Sequence, residues 1–455
     1  MFDDNQKKLI KELADSTIAR SQITTSLYER YSVKRGLRNE NGTGVLVGLT
    51  EIGEVFSYIM DDNDRIPVEG RLYYRGMAIS DLVNGFFHDK RYGFEEVTYL
   101  LIFGELPTAE QLDQFSKLLA ANRQLPPGFT EDMILKAPSP DVMNKLARNV
   151  LSLYAFDDNA DDISIENVLR QCIELIARFP TMVAYAYMAK RHYFDRDSLF
   201  LHPPLPEYNT AQNLLHMIRP DGQFTDLEAR ILDLSLVLHA EHGGGNNSTF
   251  VTRAVSSSGS DTYSVIAAAI GSLKGPQHGG ASSKAFAMME DLKKQVKNWR
   301  SEMEISQHLV NLLEKKAFDH SGLIYGIGHA VYTLSDPRTK LLRDYARALA
   351  FESGREQEYE LYTLVERLAP EVFYNTKRKD KAVCANVDFY SGLVYSMLSI
   401  PPELFTPIFA VARIAGWSAH RIEELISGGR IIRPAYKCVE KRRPYVPFNK
   451  RRNVN

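Results

Sequence analysis

Three of the chain's eleven histidines stand directly against glycine: His242 in AEHGGG, His278 in KGPQHGGASS and His329 in YGIGHAVY. Glycine lets backbone approach a ligand closely and take up turns that other residues resist. Each ring can therefore be presented to a bound small molecule, although a helix-capping histidine fits any one of them taken alone. His278 lies in a loop between a helix ending at Gly275–Pro276 and one starting near Ala281. The positive end of that second helix disfavours imidazolium. A neutral imidazole can donate a hydrogen bond to a carbonyl oxygen that is becoming an enolate, and free backbone N–H groups there attract phosphate. Asp388, in CANVDFYSGLVYSML, precedes or opens an apolar helix. The helix dipole keeps such a carboxylate ionised, as a general base must be; a plain N-cap aspartate has the same sequence. Arg338, Arg413 and Arg433 lie in the apolar or proline-marked segments SDPRT, FAVARIAGW and RIIRPAY. A buried arginine requires an anion, from an internal carboxylate or from a substrate, and its planar fork suits carboxylates. His239 and His242 form HxxH, but the glutamate and second motif of a zinc protease are missing, and no metal site is expected.

The elements that position these groups are mainly helices. In FTDLEARILDLSLVLHAEHGGG, Thr225 and Glu228 form a capping box. Leu227, Ile231, Leu234 and Leu238 follow at helical spacing, and Gly243–Gly245 stop the helix with His242 at its C-terminal end. In SDPRTKLLRDYARALA, Asp336 is the N-cap and Pro337 the first helical residue, so Arg338 sits in the first turn. Residues 6–30 read as an amphipathic helix. Gly42 to Gly76, with glycine punctuation and β-branched runs, reads as short strands and turns. From Ile79 onward helical period dominates, with breaks at Leu125–Gly128, Pro203–Pro206 and Pro401–Pro402.

The totals set limits. The chain has 455 residues, 44% of them hydrophobic and 25% charged, an ordinary globular composition. Length alone suggests about three domains, but large helical enzymes can do with two, because helices stack into one extended core. A net charge of −2 gives no field for nucleic acid, so any anion site is local. Three cysteines without a CxxC pair point to a reducing cytosol rather than a disulfide framework. The N-terminus lacks the features of a signal or transit peptide, and no apolar run reaches the ~18 residues of a membrane span. The basic, proline-marked end, EKRRPYVPFNKRRN, reads as a solvated tail.

Taken together, HAEHGGGNNST, GSLKGPQHGGAS, GIGHAVYTLSDPR, NVDFYSG, ARIAGW and RPAYKC…RPYVPF resemble the citrate synthase family in order and spacing, as does GRLYYRGMAISDLV nearer the N-terminus. The resemblance covers nearly the whole chain. It implies an all-α, two-domain helical fold with a few short N-terminal β-strands. Residues 1–279 with 390–455 would form the large domain, and 280–389 a small domain that closes over the substrates. It implies that His278 holds the thioester oxygen, Asp388 removes the acetyl methyl proton, and His329 polarises the ketone of oxaloacetate. His242, Arg338 and Arg413 would bind that dicarboxylate, with Arg433 donated by the other subunit of a homodimer. Gly275, Gly279, Gly280, Ile327 and Gly328 match the family's coenzyme A loops. No cofactor is implied beyond coenzyme A as substrate carrier, and the expected partners are acetyl-CoA and oxaloacetate, with neither nucleic acid nor membrane.

The physical logic agrees. A thioester α-proton is a poor acid, so an acid and a base must act on the same fragment. Hydrolysing the condensed thioester needs water excluded first and admitted later, hence domain closure. Ser282, Glu241 and Ala330 depart from commoner family residues, which bears on acyl preference rather than reaction class. A 2-methylcitrate synthase would use propionyl-CoA with the same residues, and one methylene discriminates by only about 1–3 kcal/mol. A non-catalytic binder would lack one of His278, His329 and Asp388, all present. A citryl-CoA lyase normally has a nucleotide-dependent part, and no GxxxxGK[ST] occurs.

Overall fold

The computed structural model describes residues 3–39, 43–61, 64–377 and 382–451. Gly42, Asp62, Asn63, Arg452 and Asn453, which belong to the motif segments read above, lie outside the described residues.

The fold is all-α with one small sheet. The helices run in the order α1 (Asp4–Arg20), α2 (Thr25–Arg30), α3 (Ile79–His88), α4 (Phe94–Phe103), α5 (Ala109–Ala121), α6 (Val142–Leu153), α7 (Ile165–Lys190), α8 (Thr210–Ile218) and α9 (Asp226–His239). They continue with α10 (Asn247–Ser256), α11 (Thr262–Leu273), α12 (Ala281–Gln295), α13 (Glu302–Leu313), α14 (Pro337–Glu352), α15 (Glu356–Lys377), α16 (Val387–Met397) and α17 (Phe405–Ser427). The strands β1 (Gly53–Asp61), β2 (Asp64–Tyr74) and β3 (Met77–Ala78) form an antiparallel sheet in that order, with a register shift between Phe56 and Tyr58.

The helical region begins at Ile79, as its period predicts. The single helix expected over 6–30 is two, because Thr24 takes an extended conformation as N-cap of α2. The strands begin at Gly53 rather than near Gly42. The capping box of Thr225 and Glu228 starts α9, and Asp336 with Pro337 starts α14. Helix α9 stops three residues before the glycines. The reason is the Tyr74 hydroxyl. It lies 3.0 Å from the Val237 carbonyl, which the Glu241 N–H would take in a continuing helix. Glu241 N–H instead donates to that hydroxyl at 3.3 Å. The inserted oxygen ends the ladder and frees the turn that carries His242.

The core sits around α17, whose residues Phe405–Ile422 are all buried. It packs on α4, α7, α9 and α10. A helix buried on every face needs neighbours all round. Helix α14 packs on α9 and α16, and α12 on α16.

Asp157 ties α6, α7 and α11 together. It accepts from Arg170 at 2.8 Å, Gln171 at 2.9 Å, the Tyr263 hydroxyl at 2.8 Å and the Asn159 N–H at 3.0 Å. Burial pushes its carboxyl up, but Arg170 and the other donors outweigh this and hold it at about 2. A depressed carboxylate stabilises above its unfolded value and loses that contribution as pH falls towards 2. Asp157→Ala should therefore cost about 2–3 kcal/mol at pH 7 and distinctly less at pH 3. Urea unfolding at the two pH values checks this; an equal loss at both would refute it.

Candidate active site

His329 and Asp388 are held by one backbone frame. Ile327 bridges Ala385, Gly328 N–H donates to Cys384 O at 2.7 Å, and Asn386 N–H donates to Gly326 O at 2.9 Å. The Asn386 side chain closes the frame, donating to Gly328 O at 2.7 Å and capping α16 at the Asp388 N–H. Gly326 is required there: its φ is +79°, and a Cβ would stand 2.9 Å from the Phe389 Cα.

Hydrogen bonds assign the tautomers of two histidines. The N–H groups of Val331 and Tyr332 lie 3.1 and 3.0 Å from His329 Nδ1. A backbone N–H can only donate, so Nδ1 accepts and Nε2 carries the proton. The Tyr332 ring stacks on His329 with centroids 4.7 Å apart. At His278, the Ser248 N–H approaches Nε2 at 3.4 Å and the Ser248 hydroxyl at 3.0 Å. Nε2 therefore accepts, and the proton of the neutral ring is on Nδ1. Burial first, and Arg413 second, pull His278 down to about 4; burial and Arg338 bring His329 to about 4. Both rings are neutral at physiological pH. The neutrality of His278 thus rests on burial and a nearby cation, where the sequence suggested a helix dipole.

His242 lies between these groups. Its ring centroid is 5.2 Å from that of His329 and 5.6 Å from that of Tyr332. Burial holds it far below the usual histidine range, helped by Arg338, His329, Arg413 and His278. Its Nε2 has no hydrogen-bond partner among the described residues.

The arginines differ. Arg338 is buried and paired through Nε and Nη2 with Asp336, at 3.0 and 2.7 Å. Asp336 also accepts the Val387 N–H at 3.2 Å, linking the clamp to the Asp388 helix. Arg413 is fully buried and spends only Nε, donating to His239 O at 2.7 Å. Among the described residues, its Nη1 and Nη2 have no acceptor. It lies over the Phe409 ring at 4.7 Å, and its charge acts on His242, His278, Glu241 and Asp388 alike. Arg433 is exposed in an extended tail, apart from this cluster; the neighbouring Ile432 N–H donates to Ser257 at 3.0 Å.

Asp388 sits in the first turn of α16. Burial raises its carboxyl to about 6, against the lowering pull of Arg338 and Arg413. The sequence expected the dipole to keep it strongly ionised; here burial is the larger effect. A base poised near neutrality is better suited to abstracting a carbon-bound proton.

The Gly275–Gly280 loop is tight. His278 N–H donates to Gly275 O at 2.9 Å, Gly279 N–H to Leu273 O at 2.9 Å, and Thr406 holds Gly279 O at 3.0 Å. Gly280 gives α12 no side-chain cap.

Several site residues escaped the sequence reading: Ser248, Tyr332, Asp336 in its role as clamp partner, and Glu241 with His420. The β1–β2 hairpin also buttresses the site. Ser57 donates to Val331 O at 2.9 Å, and Gly70 N–H to Ser335 at 3.2 Å. The polar Ser, His and Arg within the otherwise apolar WSAHRI were the signal available for His420.

The family profile described as "Citrate synthase, C-terminal domain" matches residues 41–435. The chain belongs to the citrate synthase family. A citrate synthase of Haloferax volcanii is 34% identical over 92% of this chain and 99% of its own length. A 2-methylcitrate synthase of Shewanella oneidensis is 32% identical over 80% of this chain and 87% of its own. The crystal structure of citrate synthase from Pyrobaculum aerophilum superposes with a TM-score of 0.74 at 30% identity, covering 92% of this chain and 95% of that one. The family membership accords with the three neutral imidazoles, the carboxylate and the buried guanidinium.

A buried cation short of acceptors destabilises a protein until an anion arrives. Arg413→Met should raise the unfolding free energy of the unligated protein by about 1–3 kcal/mol. Thermal melting checks this; a lowered melting temperature would refute it.

Proposed function

We propose that the chain condenses acetyl-CoA with oxaloacetate and water to give citrate and coenzyme A. The observation that carries this reading is the buried, acceptor-poor Arg413 among neutral histidines whose protons lie on nitrogens not used by the protein. Asp388 removes a methyl proton from the thioester while His278 Nδ1–H supports the enolate oxygen. The carbon attacks the ketone of oxaloacetate, whose oxygen, hydrogen-bonded to His329 Nε2–H, takes up a proton to become the citryl hydroxyl, while Asp388 releases the proton it removed. Water then cleaves the citryl thioester, releasing the coenzyme A thiol and a carboxylate. His242, Arg338 and Arg413 hold the dicarboxylate, and Gly275, Gly279, Gly280, Ile327 and Gly328 line the coenzyme A path.

The protein acts as a homodimer in which Arg433 completes the partner's site. Residues 1–279 and 390–455 form the larger domain, and 280–389 the one that closes, with α16 running across the second boundary. No described helix is long and apolar enough to cross a membrane, and the three free cysteines favour a cytoplasmic setting.

Coenzyme A release with acetyl-CoA or propionyl-CoA, with and without oxaloacetate, tests the reading. Release that depends on oxaloacetate and favours acetyl-CoA supports it. Preference for propionyl-CoA would make it a 2-methylcitrate synthase, as the Shewanella relative is named, and release without oxaloacetate would sink it. The base must be ionised, so kcat/KM should be level above pH 7 and fall about ten-fold per unit below the Asp388 value of about 6. Asp388→Asn should lower kcat by roughly 10³ with oxaloacetate binding retained; unchanged turnover would remove Asp388 as the base. Arg433→Ala and Arg413→Ala should each be inactive, yet regain roughly a quarter of full activity when their subunits are mixed. No recovery after exchange would count against donation in trans.

A further inference from the structure

One buried acid in this region is used by no step above. Glu241 is fully buried and directly precedes His242. Its Oε1 folds back onto the Gly243 N–H, so the carboxylate brackets His242 from both sides in sequence. That same oxygen receives His420 Nε2 at 3.0 Å, and both side chains are wholly inaccessible. The direction of this bond is fixed from behind. Arg253, which can only donate, contacts His420 Nδ1 at 3.1 Å from Nε and 2.7 Å from Nη2. Nδ1 therefore accepts, Nε2 carries the proton, and Glu241 is the acceptor. Arg253 is anchored in turn by Glu424 at 3.0 Å and by Glu423. Burial pushes the Glu241 carboxyl up, while the His420 hydrogen bond, the Arg413 charge and the Gly243 N–H pull it down.

The chain Arg253–His420–Glu241 thus runs from the half-shielded surface of α10 through α17 to the turn presenting His242. Burying a charge costs stability even when it is hydrogen-bonded, whereas fixing a turn that lies beyond a helix end requires a defined acceptor. We propose that Glu241 is a positioning residue: it locks the turn that aims His242 at the dicarboxylate, and His420 with Arg253 locks Glu241. This rests on the reading of His242 as a dicarboxylate ligand.

The test compares two variants of the full-length protein. Glu241→Gln keeps an acceptor for Gly243 and His420; Glu241→Met keeps the volume without acceptors. Glu241→Met should raise the KM for oxaloacetate at least ten-fold while changing the KM for acetyl-CoA and kcat by less than three-fold. Glu241→Gln should raise it no more than three-fold. Equal effects of Gln and Met, or a fall in kcat without a rise in KM, would overturn the proposal. If Glu241→Met does not fold, Arg253→Met carries the test: an oxaloacetate KM at least three-fold higher is expected, and an unchanged one overturns it. Calorimetric titration with oxaloacetate separates the two readings. A wild type that binds oxaloacetate without turnover would sink the proposed reaction, and the Gln and Met affinities would still judge Glu241.

Discussion

A guanidinium enclosed by protein with two of its nitrogens unanswered is the constraint on which the site depends. Arg413 is fully buried, donates only to the His239 carbonyl, and leaves Nη1 and Nη2 without acceptors among the described residues. Holding a cation there costs stability, and the surrounding groups respond to it. It helps keep His278 and His242 neutral and draws the Asp388 and Glu241 carboxyls downward. One charge thus suppresses protonation of two imidazoles and limits the rise of the Asp388 carboxyl.

The electrostatics require geometry that the backbone supplies. Tyr74 ends α9 by inserting its hydroxyl into the helix ladder. Asp336 joins Arg338 to the start of α16. The hairpin supports Val331 and Ser335 from outside. These contacts join segments far apart in sequence, so the imidazoles of 242 and 329 meet, with centroids 5.2 Å apart, although nothing local obliges them to.

The sequence carried the fold class, the start of the helical region at Ile79, the caps of α9 and α14, and the candidate set of histidines, arginines and Asp388. These are local signals: period, capping residues, and glycine beside histidine. It did not carry the break within residues 6–30, where an extended Thr24 decides, or the early end of α9, where a tyrosine 167 positions away in sequence from Glu241 decides. Glu241 looked like a family variation and His420 like one more residue of an apolar helix. Their pairing joins α17 to the turn after α9, a long-range contact invisible to spacing. For Arg338 the internal-carboxylate alternative is the one observed, since Asp336 takes two of its nitrogens.

The bridge between Ile327 and Ala385, with its flanking hydrogen bonds, makes the spacing of His329 and Asp388 a backbone property rather than a matter of rotamers. Any motion of this region must carry His329 and Asp388 as one body. A redesign for bulkier acyl chains should therefore recontour the lining around that frame and leave its ladder alone.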